Sequence, residues 1–139
     1  MRDRIAVAVA ALATAALGAC TPSPQTPLSG TASVTVNGND AKFTAVKCTQ
    51  VQWYRTIHIG SDSAGATVVV DGRAERAIAE SVRIQNLGGF TGMYSQGGGG
   101  DGKLSLSGDK YTITGTAEGY KADQPSEPTT ATFKITVTC

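Results

Sequence analysis

The sequence predicts a mainly β domain: an antiparallel β-sandwich or barrel-like fold of seven to eight short strands, with at most one short helix and one disulfide. Three observations carry that expectation. Apolar and hydroxyl side chains alternate with a period of two in several short runs. Gly, Asn and Asp clusters separate those runs. Two cysteines remain to pair once the N-terminal one is set aside as a modification site.

The runs follow in chain order. Val34 and Val36 alternate with Thr35, and Asn37-Gly38 then supplies a hairpin turn, because both residues tolerate positive φ. A return strand from about Lys42 packs Phe43, Ala45 and Val46 and carries Cys48. From Val51 to Ile59, Trp53, Arg55, Ile57 and Ile59 share one phase, and Tyr54, Thr56 and His58 the other. Val68, Val69 and Val70 form a β-branched run suited to a strand buried on both faces. Arg73 to Glu80 has good helix formers but one large apolar side chain, Ile78. A short helix or an irregular crossover at the sheet edge is expected there. Val82 and Ile84, Leu104 and Leu106, Tyr111 and Ile113, and Phe133, Ile135 and Val137 mark the later strands.

The N-terminus reads as an export signal. Arg2 and Arg4 precede an apolar stretch from Ile5 to Leu17, 13 residues long. A membrane-spanning helix needs about 20. Residues 1–19 therefore read as a signal peptide, ending in Leu17-Gly18-Ala19-Cys20, which resembles a bacterial lipobox. That resemblance implies diacylglyceryl transfer to the Cys20 thiol and cleavage after Ala19. An ordinary signal peptide cut elsewhere is the alternative. Residues 20–32 form the acylated cysteine and a Pro/Ser/Thr-rich tether, and residues 33–139 the domain. Thr21, Ser23 and Thr26 beside prolines are candidate O-glycosylation positions, with a plain linker as the alternative.

The chain carries 12 Lys+Arg and 11 Asp+Glu; without Arg2, Arg4 and Asp3, ten of each remain. That balance provides neither a nucleic-acid footprint nor a polybasic membrane patch, so attachment by lipid is expected. Export places Cys48 and Cys139 in an oxidising compartment, which favours a disulfide between them. The rival, a catalytic thiol, would have to use the terminal residue and the single histidine, His58. No nucleophile-elbow motif is present. The Gly97–Gly102 run precedes an extended segment, whereas a phosphate loop precedes a helix. Asp101 and Asp109 lack the ordered spacing of a calcium loop. No catalytic residue, no metal and no cofactor beyond the covalent lipid on Cys20 are expected. Trp53, Tyr54, Phe90, Met93 and Tyr94 form a candidate apolar binding surface, with Phe90–Tyr94 as a lid or adhesive edge. The alternative places Trp53 and Phe90 in the core.

From Val34 to Cys139 the chain resembles the mycobacterial 19-kDa lipoprotein antigen family, the LpqH-like lipoproteins. The likeness rests on Val34-Thr35-Val36-Asn37-Gly38, Val46-Lys47-Cys48-Thr49, Ile57-His58-Ile59-Gly60 and Val70-Asp71-Gly72. Tyr111 to Gly119 and Phe133 to Cys139 are its most distinctive stretches. The linker is shorter than that of the family's best-known member, and Arg73 to Ala77 stands where a Pro-containing turn is expected, as in a paralogue. The resemblance implies a non-enzymatic, acylated cell-envelope protein whose lipidated N-terminus engages host Toll-like receptor 2. It also implies a disulfide between Cys48 and Cys139. A membrane-anchored lipid or glycolipid carrier is the alternative function, and a hydrolase ranks last.

Overall fold

The computed structural model describes residues 30–73 and 75–139. The expected signal segment 1–19, Cys20, and the expected tether positions Thr21, Ser23 and Thr26 lie outside the described residues.

Ten antiparallel strands follow one another: β1 (Ala32–Val36), β2 (Asn39–Phe43), β3 (Val46–Val51), β4 (Tyr54–Gly60), β5 (Gly65–Asp71), β6 (Ile78–Leu87), β7 (Phe90–Ser95), β8 (Asp101–Ser107), β9 (Lys110–Lys121) and β10 (Gln124–Thr138). They form one sheet in the order β2-β1-β10-β9-β7-β6-β5-β4-β3, curled until it nearly closes into a barrel. Strand β9 holds the two halves together. Its first part pairs with β8, from Lys110↔Ser107 to Thr116↔Asp101. Its last part pairs with β7, from Glu118↔Met93 to Lys121↔Phe90.

The expected all-β class is observed, with ten strands rather than seven to eight. Two departures explain the difference. The chain bends at Thr44 and Ala45, so the single return strand expected from Lys42 to Cys48 is two strands. β2 pairs with β1 and β3 pairs with β4, at opposite ends of the sheet order. Phe90–Tyr94, read as a candidate lid or adhesive edge with core placement of Phe90 as the alternative, lies in the central strand β7 between β6 and β9.

No helix forms among the described residues. The Arg73–Glu80 stretch enters β6 at Ile78, where Ala79 packs into the core. The link from β5 to β6 joins interior neighbours, not a sheet edge. With one large apolar side chain, the stretch had no stripe to dock a helix, and its end, Ile78 and Ala79, pairs with β5 instead. Nor is β5 buried on both faces: Val68 and Val70 face the core, while Thr67 and Val69 are half-buried on the outside.

The interior is filled by alternate residues of the strands. Val34, Ile57, Val68, Val82, Ile84, Ile113, Ile135 and Val137 are fully buried, and Phe90 is the largest of the fully buried side chains. Two close approaches tie β9 to its neighbours. A Cβ on Gly119 would meet the backbone of Thr91 and Gly92, and one on Gly115 the backbone of Asp101 and Gly102. Residues without side chains let the backbones meet there.

Candidate functional site

The chain enters the domain beside its own C-terminus. Thr31 accepts a hydrogen bond at its carbonyl from the Thr138 N–H, and Gly30 sits against Val46 and Thr138. Immediately beyond, Cys139 is bonded to Cys48, with Cα atoms 5.9 Å apart and 91 positions between them in sequence. The bond joins the end of β10 to the edge strand β3, across the gap where the barrel fails to close. It also anchors a terminus that would otherwise fray. The Cys139 N–H donates to the Asp109 carbonyl at 3.1 Å.

The five aromatic and thioether residues singled out as a surface do not come together. Phe90 is 1% exposed and Tyr94 7%. Both belong to the core, because the even phase of β7 faces inward. Burial raises the Tyr94 phenol above its ordinary ionisation range, helped by the charges of Asp101 and Glu80. Met93, on the odd phase, is exposed, as is Trp53. Trp53 is therefore not a core residue. It lies in the β3–β4 turn, which Gln52 closes at a φ of 55°.

Trp53 and Tyr54 instead form the wall of a cationic clamp. The Arg73 guanidinium lies 5.2 Å from the Trp53 ring centroid and 5.4 Å from that of Tyr54. Its Nη2 donates to the Tyr54 hydroxyl at 3.1 Å and to Asp71 Oδ2 at 2.6 Å. Asp71 is the buried polar residue among the described residues. Hydrogen bonds from the Arg73 side chain, then from its N–H, hold the Asp71 carboxyl below the ordinary carboxylate range, against the opposing cost of burial. Sequence reasoning missed this group. Its only trace is an Asp and an Arg two positions apart around Gly72, which reads first as a plain turn.

His58 is exposed on β4, and its Nδ1 lies 3.4 Å from the Thr67 hydroxyl. Among the described residues, no group of three or more His, Cys, Asp or Glu side chains could hold a metal ion. The glycine run from Gly97 joins β7 to β8.

Comparison with known proteins bears on the whole chain. The family profile described as Mycobacterium 19 kDa lipoprotein antigen matches residues 25–139. A protein of Mycobacterium indicus pranii named as a lipoprotein is 60% identical over 139 residues, covering all of both chains. The lipoprotein LppE of Mycobacterium tuberculosis is 30% identical over 131 residues, 94% of this chain and 93% of its own. Lipoprotein LpqH of the same species is 36% identical over 109 residues, 76% of this chain and 67% of its own.

Proposed function

The chain belongs to the mycobacterial 19 kDa lipoprotein antigen family, and from that membership we propose that it is a non-enzymatic envelope lipoprotein held on the outer side of the membrane by acyl chains on Cys20. The observation that carries this reading is the assignment of the thiols. Cys48 and Cys139 are bonded to each other, which leaves Cys20 as the one cysteine available for lipid. It follows Leu17-Gly18-Ala19, and the relatives named as lipoproteins support the same use. One acyl chain gives marginal membrane residence, so two or three are needed for a stable anchor.

In this reading the folded domain is a disulfide-stapled antigen on a proline-rich tether, and the acylated N-terminus is what host Toll-like receptor 2 engages. Thr21, Ser23 and Thr26 are the tether positions open to O-glycosylation. Replacing Cys20 by Ala tests the reading. The Cys20→Ala protein is expected in the culture medium, without receptor 2 signalling. A variant that stays cell-bound through a high-salt wash, or purified non-acylated protein that still signals, would overturn it.

A further inference from the structure

The half of the sheet that receives the tether has an outer face unlike the rest of the surface. Register sets Lys42, Ser33, Thr136, Thr112 and Ser105 side by side across β2, β1, β10, β9 and β8. In the next row Lys134 and Lys103 flank Thr114, while Asp40 accepts the Thr35 hydroxyl. On the tether side Thr138 pairs with Lys110. Side chains alternate along a strand, so all of these point away from the core residues Val34, Ile113 and Ile135. The face thus carries four lysines against Asp40 and Asp101, with a third carboxylate, Glu118, at its border where β9 leaves β8 for β7. On the outer face of the other half, Lys47 and Arg83 stand apart, with Val69 and Met93 beside them.

A groove of about 510 Å³ lies in this face. Lys42 and Lys110 line it on β2 and β9, with Thr31, Ser33, Thr136 and Thr138 between them and the apolar Ala32 and Phe43 beneath; no carboxylate is among its lining residues. Three strand spacings separate the two lysine-bearing strands, about 14 Å. Hydroxyls and ammonium groups spread over that width suit several phosphates in a plane better than one small anion, which calls for converging donors.

We propose that this face lies on the anionic headgroup surface of the membrane, with lipid phosphates in the lane between Lys42 and Lys110. Charge complementarity is one argument. The other is reach. Cys20 and Thr31 are 11 positions apart, at most about 38 Å of extended chain, and Thr31 is itself a wall of the groove. An anchor at Cys20 therefore presents this face to the bilayer at high effective concentration, so that weak contacts suffice to orient the domain. The proposal rests on the acyl-anchor reading for that geometry.

The test uses the mature chain, residues 20–139, carrying Cys20→Ala and no acyl groups, and vesicles of phosphatidylcholine alone or mixed with phosphatidylglycerol. The protein is expected to sediment with the mixed vesicles, less so as salt is raised, and not with neutral ones. Lys42→Gln with Lys110→Gln is expected to weaken that binding about 25-fold, roughly fivefold for each lysine, at an unchanged melting temperature. Lys47→Gln with Arg83→Gln on the opposite face is expected to leave it unchanged. Indifference to phosphatidylglycerol, an equal loss with the opposite-face pair, or binding to dextran sulfate but not to vesicles would overturn the proposal. Acylation does not enter this assay, so its failure is distinct from failure of the anchor reading, which shows as Cys20→Ala protein retained on cells after a high-salt wash that strips electrostatically bound protein.

Discussion

Arg73 donates through Nε to both carboxylate oxygens of Asp71 at 3.1 Å, and through Nη2 to one of them at 2.6 Å, while its guanidinium lies beside Trp53 and Tyr54. Two residues at one strand end thereby organise a hairpin 18 positions earlier in the chain. The Gly72 N–H donates to the Trp53 carbonyl at 2.9 Å and ties the same two segments by backbone.

That arrangement predicts an acid-sensitive contribution to stability. The folded-state pKa of Asp71 is depressed below 3.8, so its contribution is present above that value and is lost as pH falls through the folded pKa. Urea unfolding of the wild type and of Asp71→Asn should differ most near neutral pH. The difference should shrink below pH 3.8. A difference independent of pH would refute the role given to the ion pair.

The disulfide predicts a large loss on removal. Cys48 and Cys139 are 91 positions apart, and closing such a loop stabilises by about 4–5 kcal/mol in the chain-entropy model. Reduction, or Cys48→Ser with Cys139→Ser, should lower the urea midpoint accordingly. Exchange of the amides in β3 and at the end of β10 should also accelerate, since these are the elements the bond joins.

The unlike fates of two aromatic residues predict unlike mutational costs. Phe90→Ala should cost about 3–5 kcal/mol by emptying a closed interior site. Trp53→Ala should cost about 1 kcal/mol or less, because the exposed ring loses chiefly its contact with Arg73. Equal costs in urea unfolding would contradict the placement of the two rings.

At the junction of the two halves, Gly119→Ala should push β9 away from β7. The added methyl meets the Thr91 carbonyl and the Gly92 Cα, which are backbone atoms and cannot rotate aside. A loss of about 1–3 kcal/mol is expected from overpacking, together with chemical-shift changes at Thr91 and Gly92. Gly38→Ala, in the β1–β2 turn, meets no neighbour within 4 Å. It should be the milder change, strained only by its positive φ.

Much of the fold was legible because it rests on local pattern. Phe133, Ile135 and Val137 alternate with polar residues, and the structure buries all three. Asn37-Gly38 turns the first hairpin, with Asn37 at a φ of 49° and Gly38 at 81°. Where pattern was ambiguous, sequence reasoning failed in a consistent way. Phe90-Thr91-Gly92-Met93-Tyr94 looked like an apolar patch, because alternation with a Gly at its centre hides which phase is inward. The bend at Thr44 and Ala45 carries no Gly or Pro, so the switch of one apparent strand between the two ends of the sheet left no mark.

By itself the sequence determined the β class and the two cysteines able to pair. Each depends on residue types at short spacing. Tertiary structure alone decided which strands are neighbours, that Cys48 and Cys139 bridge the open seam, and that Asp71 is buried against Arg73. It also decided that lysines from four strands share one outer face. Those relations join residues far apart in the chain. They arise only when burying alternate side chains in one core fixes the strand register.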